Sequence, residues 1–250
     1  MKKMFGLAMV LTAVCAAVML AGCGKKAEKK VLRMATEATF PPYEYFEKGK
    51  IVGIDADIVT EIAKTLGYET EIIDMKFDSV ILAVQTGKCE IAASGITVTE
   101  ERKKQINFTI PYVTATQVII VPKNSPLKTP DSLKDKKIRI GVQQGTTGDL
   151  YVAEKLHEPQ RYDNAGLAVA ALLAGKLDAV VCDGEPAKVH VEKHPELVIL
   201  PVALTSEEYA FAIDKKNTQL LKDFNRELIK MHKSGRLQQI LDKYLAPAKK

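Results

Sequence analysis

The chain has 250 residues, 46% of them hydrophobic, with a formal charge of +5 at pH 7. That length suits one large or two small domains. So small a basic excess, with no basic stripe interleaved with aromatics, argues against a nucleic-acid partner. The cysteines, four in all, show no metal-type spacing.

In chain order the first signal is a leader. Met1-Lys2-Lys3 opens a single apolar run that ends in Leu20-Ala21-Gly22-Cys23, which reads as a secretory signal peptide over residues 1–22. "LAGC" resembles a bacterial lipoprotein box, whose cysteine, here Cys23, becomes the lipid-carrying first residue of the mature chain. The alternatives are a plain signal peptide cut elsewhere, or a retained anchor. Two or more acyl chains would hold the protein firmly to a membrane, with residues 23–31 as a lipidated polar tether. An exported protein can pair its remaining cysteines. Cys89 and Cys182 lie far apart in sequence, each beside an apolar strand-like run, so two buried thiols are expected.

From Val31 onward short apolar strands alternate with helical patterns, an α/β signature. "VLRMATEA" is strand-like. "DADIVTEIAKTLG" places Ile58, Ile62 and Leu66 at four-residue spacing, with Asp55 as its cap and Gly67 as its stop. The strand "YETEIIDM", the helix "FDSVILAVQTGK" and the strand "CEIAASG" complete a first unit, and "TQVIIVPK" is a long strand leaving it. A second unit reads as a short capped helix "PDSLKDKK", a strand "IRIGV" and helices "TTGDLYVAEKL" and "LAVAALLAGK". The strand "LDAVVCD", the helix "EPAKVHVEKHP" and the strand "LVILP" follow. "EEYAFAID" is one more strand. Residues 217–244 form one or two amphipathic helices, with Leu220, Leu221, Phe224, Leu228, Leu237, Ile240 and Leu241 on a common face. The units share a helix–Gly–Lys–x–acid segment, "LAVQTGKCEIAASG" and "ALLAGKLDAVVCDG". This sets "ASG" and "CDG" at corresponding strand ends, where ligands collect in open α/β sheets.

Three stretches carry chemistry, each with a plainer alternative. In "SGITVTEERKKQINFT" the guanidinium of Arg102 suits a carboxylate bidentately, and the turn at Gly95-Ile96-Thr97 offers backbone N–H groups. Alternatively "TEER" is a charged helix start capped by Thr99. "GVQQGTTGDLY" runs a strand into a helix N-terminus, which suits an anion. It is not a Walker sequence, and a tight turn with capping threonines is the other reading. Asp183, at the end of "DAVVCD", suits an ammonium group or caps the following helix. His190 and His194 stand one helical turn apart without a third ligand, so neither a metal nor a cofactor is expected. Ser, Cys and His are too scattered to indicate a nucleophile–base pair.

These residues bring the chain close to a known family. Across about residues 31–245 it resembles the polar-amino-acid substrate-binding proteins of ABC importers, solute-binding protein family 3. The resemblance rests on "TFPPYEYFEKGKIVGIDADI", "FDSVILAVQTGKCEIAASGITVTEERKKQINFTIPY", "IGVQQGTTG", "KLDAVVCD" and "GRLQQILDKY", in that order. It implies that Arg102 clamps the ligand α-carboxylate, helped by the N–H groups of Thr97 and Thr147, with Thr146 beside them. The ammonium would meet the Gly95 carbonyl, the Thr97 hydroxyl and Asp183. Phe40 and Phe77 would sandwich the side chain, and Glu37, Ser94 and Gln143 would line its far end. The family often has Asp in place of Glu37, and Tyr or Trp in place of Phe40 or Phe77. A small or polar second residue is also usual at or just after Gly95. These departures bear on side-chain specificity.

The resemblance implies a type II periplasmic-binding-protein fold, α/β, with two lobes joined by two hinge strands at "TQVIIVP" and "EEYAFAI". Lobe 1 would span 32–118 plus 207–250, and lobe 2 would span 119–206. The expected protein is a monomeric, extracytoplasmic, lipid-anchored receptor that closes on a polar, basic amino acid and is then recognised by a membrane permease. The alternatives are a cyclohexadienyl dehydratase-like enzyme on the same fold, disfavoured by Asp183 in the ammonium position, and a sensor module. The sensor is disfavoured because no apolar run follows before Lys250.

Overall fold

The computed structural model describes residues 30–245. The expected signal segment, the lipidation site Cys23 and the tether up to residue 29 lie outside the described residues.

In order, the elements are β1 (Lys30–Thr36), β2 (Thr39–Phe40), β3 (Glu44–Glu47), β4 (Lys50–Val52), α1 (Ile54–Thr65), β5 (Tyr68–Asp74), α2 (Phe77–Gln85) and β6 (Ile91–Ala92). Then come α3 (Glu100–Gln105), β7 (Asn107–Phe108), β8 (Val113–Ala115), β9 (Gln117–Pro122), a 3-10 helix (Pro130–Lys134), β10 (Ile140–Gln143), α4 (Thr147–Lys155) and β11 (Gln160–Tyr162). The chain finishes with α5 (Ala165–Leu173), β12 (Ala179–Asp183), α6 (Gly184–Lys193), β13 (Leu197–Ile199), β14 (Glu207–Tyr209), β15 (Ala212–Ile213), α7 (Thr218–Ser234) and α8 (Arg236–Leu245).

Two five-stranded sheets organise these elements, in the orders β5-β1-β6-β15-β7 and β11-β10-β12-β9-β13. In the first, β1 runs parallel to β6, and β15 enters antiparallel to β6. In the second, β10 runs parallel to β11 and β12, and β9 is antiparallel to β12. The two sheets thus share a plan: parallel strands linked by helices, plus one antiparallel strand. Strand β9 shows why "TQVIIVP" reads as one continuous apolar run. Val118 and Ile120 face one core, Ile119 and Val121 the other, as alternation requires in a strand buried on both faces.

The structure corrects several sequence expectations. "EEYAFAID" is not one strand. It divides at Ala210 and Phe211, so that β14 pairs with β8 in a separate two-stranded ribbon while β15 joins the first sheet. Strand β9 belongs wholly to the second sheet, so the paired crossing is β8–β14, with β8 ending immediately before "TQVIIVP". The meander β2-β3-β4 was not anticipated, because strands of two to four residues are too short to show a period. Asp55 does not cap α1. The N-cap is Gly53, and Asp55 is fully buried. The C-terminal amphipathic run is two helices, parted by Gly235 in the left-handed conformation at φ 76°.

The first sheet's core includes Met34, Ile58, Phe224, Leu228 and Ile240. Through it runs an aromatic series. Phe40 stacks on Tyr43, Tyr43 meets Tyr209 edge-on, and Tyr112 stacks on Phe211 at 4.6 Å between centroids. Such pairs add about 0.5–1.5 kcal/mol each beyond burial. Cys89 and Cys182 are free and buried, in separate cores. Burial pushes the Cys182 thiol well above its ordinary pKa. Among the described residues no helix is long and apolar enough to cross a membrane.

Candidate ligand-binding site

The carboxyl ends of four strands converge: Glu37 follows β1, Ser94 and Gly95 follow β6, Gln143 closes β10 and Asp183 closes β12. With them, Phe40 on β2, Phe77 at the head of α2, Thr97, Arg102 on α3, and Thr146 and Thr147 at the head of α4 line one cavity. All the site residues expected from sequence therefore stand together. The cavity and its open mouth hold about 280 Å³ of space.

At one end is Arg102. The Thr99 hydroxyl accepts from the Arg102 N–H and caps α3, so the charged-helix-start reading describes the backbone. The side chain turns elsewhere. Nη1 donates to the Thr97 carbonyl at 2.8 Å and Nη2 to the Gly145 carbonyl at 3.1 Å. Its Cζ lies 5.5 Å from the Phe77 ring centroid, within cation–π range. Burial lowers the guanidinium pKa from its ordinary value, opposed by the Glu207 and Asp183 carboxylates. Beside it α4 presents its N-terminal N–H groups, which lack intrahelical acceptors and carry the positive end of the helix dipole. The Thr146 hydroxyl is committed to the helix cap: it accepts from the Asp149 N–H and donates to the Gln143 carbonyl.

Asp183 holds the N-cap position of α6 without making a side-chain cap bond. Its Oδ1 instead accepts from the Tyr209 hydroxyl. Burial pushes its pKa up to about 6, with Tyr209 pulling it down and Glu207 raising it further. Across the cavity, Gly95 sits at φ 51°. A Cβ there would lie 2.7 Å from Phe40 Cε1 and 3.3 Å from Tyr209 Cε2, so only glycine lets the rings close on this turn.

The turn is anchored from behind by acids. Gly95 N–H donates to Asp55 Oδ2 at 3.0 Å, and Asp55 Oδ1 accepts from the Tyr112 hydroxyl at 2.5 Å. Ser94 Oγ accepts from the Glu37 N–H and donates to Glu44 Oε1, both at 3.0 Å. Burial pushes Asp55 up to about 7 and Glu44 well above the carboxylate range, where the neighbouring Asp55 adds to the effect.

At the far end Glu37 is buried. It accepts from the Thr39 hydroxyl and, at 3.4 Å, from Gln143 Nε2. Burial raises its pKa. Its partners are neutral groups, with no lysine or arginine among them. It does not point to solvent.

Sequence reasoning missed a further layer. Glu207, buried on β14, accepts from the hydroxyls of Thr97 at 2.7 Å and Thr147 at 2.8 Å through Oε2, and from Thr205 at 2.7 Å through Oε1. Gln117 Nε2 donates to Thr147 Oγ1 at 3.2 Å. No spacing rule links such residues. Among the described residues no group of three or more His, Cys, Asp or Glu is placed to hold a metal.

A mixed α/β chain with two sheet-bearing lobes and a cavity at their strand ends has the type II periplasmic-binding-protein fold. The chain belongs to the bacterial extracellular solute-binding proteins, family 3, whose pattern spans residues 32–247. It is 33% identical to a probable histidine-binding protein of Neisseria gonorrhoeae, over 93% of this chain and 92% of that one. The arginine-bound form of truncated ArgBP from T. maritima matches with a TM-score of 0.77 and 40% identity, covering 80% of this chain and 96% of that one. An ancestral amino acid-binding protein, a precursor of cyclohexadienyl dehydratase, matches at 0.80 and 33% identity, covering 86% and 94%.

Proposed function

We propose that the protein is the extracytoplasmic receptor of an ABC importer for polar, basic amino acids, with arginine or lysine ahead of histidine and glutamine. It binds the zwitterion between the lobe of the first sheet and the lobe of the second. The ligand touches both lobes and so favours the closed form by differential affinity, which a membrane permease then recognises. Arg102 and the N–H groups of Thr97 and Thr147 take the carboxylate. The Gly95 carbonyl, the Thr97 hydroxyl and Asp183 take the ammonium. The side chain lies between Phe40 and Phe77. The protein works as a monomer, lipid-anchored through Cys23.

The observation that carries the ligand class is Glu37, a buried acid at the cavity's end that has no basic partner among the described residues. A cationic head supplies what it lacks, and aromatic faces add about 0.5–2 kcal/mol for a cation. The names of the histidine- and arginine-binding relatives agree with this reading. Binding raises stability by RT ln(1 + [L]/Kd), about 4 kcal/mol at a thousandfold excess over Kd. A panel of amino acids at equal concentration is therefore ranked by thermal shift. Arginine or lysine should give the largest shift. If glutamate, aspartate or a branched aliphatic residue leads and the basic ones give none, the role of Glu37 fails.

A second reading, a dehydratase-like enzyme, is favoured only by the likeness to the ancestral precursor. Such an enzyme needs an acid at a leaving group and no ammonium partner where Asp183 stands. Incubation with prephenate or arogenate should give no ring aromatisation.

A further inference from the structure

The buried carboxylate of Glu207 stands behind Thr97 and Thr147: both threonines line the cavity and Glu207 does not. An ionised carboxylate accepts hydrogen bonds and donates none, whereas a threonine hydroxyl has one proton and two lone pairs. Three threonine hydroxyls, from Thr97, Thr147 and Thr205, each direct that one proton to Glu207. Thr147 also accepts from Gln117 Nε2, and Thr205 from the Gln117 N–H at 2.9 Å. A cluster of hydroxyls alone would leave its rotors free to point either way. An acceptor-only group at the centre fixes them all.

Thr97 is the member that matters for recognition, because it also lines the cavity. With its proton committed to Glu207, its hydroxyl can only accept from whatever occupies the cavity. We infer that Glu207 is a positioning residue: it sets the polarity of the Thr97 hydroxyl so that the site selects a ligand with an α-ammonium group and disfavours one without it. The inference rests on the amino-acid reading above and deepens it. Glu207 does not line the cavity. It acts through Thr97 from β14, in the ribbon that crosses between the two sheets, and joins Thr97, after β6, to Thr147, after β10.

The test compares each amino acid with its deaminated analogue by calorimetry. One pair is L-arginine and 5-guanidinopentanoate, the other L-histidine and 3-(imidazol-4-yl)propanoate. The proteins are the wild type, Glu207→Ala, Glu207→Gln, and Glu207→Ala in a Thr97→Val background. Glutamine keeps one oxygen to accept from Thr97 and Thr147, so Glu207→Gln should retain the wild-type preference for the amino acid within about threefold. Glu207→Ala should lower that preference about tenfold or more, mainly by weakening the amino acid. In the Thr97→Val background the same change should leave the preference unaltered. Should Glu207→Ala fold too poorly to assay, the glutamine variant decides alone: a preference lost despite the retained acceptor refutes the inference. Equal weakening of amino acid and analogue by Glu207→Ala would assign Glu207 to lobe closure or folding and overturn it. Wild type that binds neither amino acid would instead overturn the amino-acid reading, and the inference with it.

Discussion

Arg102→Ala gives the sharpest test of the binding geometry. A guanidinium has five N–H donors. Two bonds are accounted for, to the carbonyls of Thr97 and Gly145, so donors remain for a planar carboxylate in the cavity. Removing the side chain leaves that carboxylate without its cationic partner in a desolvated cleft, held only by the N–H groups of Thr97 and Thr147, which typically costs about 3–5 kcal/mol. That corresponds to roughly a hundredfold to a few thousandfold in Kd. The bond to Gly145 also joins the loop before α4 to α3, so part of the loss should appear as faster dissociation. The unliganded protein should behave differently. Burial holds the Arg102 pKa down, a desolvation cost that offsets its bonds to the Thr97 and Gly145 carbonyls, so the alanine variant should melt close to wild type. Calorimetry with arginine and a melt without it test both statements. Less than a tenfold loss of affinity would remove Arg102 from the site, and a large fall in the unliganded melting temperature would make it a structural residue.

Other outcomes follow from the same groups. Asp183, raised to about 6 by burial, should be drawn down by a bound ammonium. Affinity should then be full above about pH 6 and fall by up to tenfold per pH unit below it, and a flat calorimetric profile between about pH 5 and 8 would exclude its role. Stability without ligand should run the other way. The raised pKa values of Asp183 and Asp55 contribute stability that is present below their unfolded values and lost as pH rises through about 6 and about 7, measurable as a falling melting temperature. Glu37→Gln should weaken arginine and lysine about tenfold or more while changing glutamine little; equal effects on all three ligands would detach Glu37 from the side-chain head. Cys23→Ser should abolish partition with membranes, and a variant that still sediments with its signal uncut would mean a spanning anchor.

What the sequence made legible follows from how local each feature is. The helices α1, α2 and α5 each carry their apolar stripe and stop signal within one short segment, and β9 announces two buried faces by an unbroken apolar run. The cavity residues were found through motifs that are themselves contiguous stretches. The groups behind them were not, because each acts across a long span: Gly95 to Asp55, 40 residues apart, and Thr97 to Glu207, 110 apart. Asp55 illustrates the error. An acid at a helix start ordinarily caps it, but here the helix turns that face inward, and tertiary contacts with Tyr112 and Gly95 claim the side chain. The break between β14 and β15 was equally hidden, since a strand that changes sheets keeps the same composition on both sides.

The order of the first sheet constrains how the molecule can assemble. Strand β15 lies inside it, between β6 and β7, and the helices after β15 supply Phe224, Leu228 and Ile240 to its core. The second sheet draws its strands from one continuous stretch, β9 to β13. As a chain emerges N-terminus first, the second sheet can close once β13 is out. The first can pair β5, β1 and β6 early, but the free edge of β6 and the whole of β7 stay unpaired until β15 arrives. Domains generally fold as units during emergence, and pairings across long separations are slow and leave strand edges open to aggregation. The lobe begun first is therefore completed last, and a chain cut before Ile213 should leave the second sheet foldable and the first exposed.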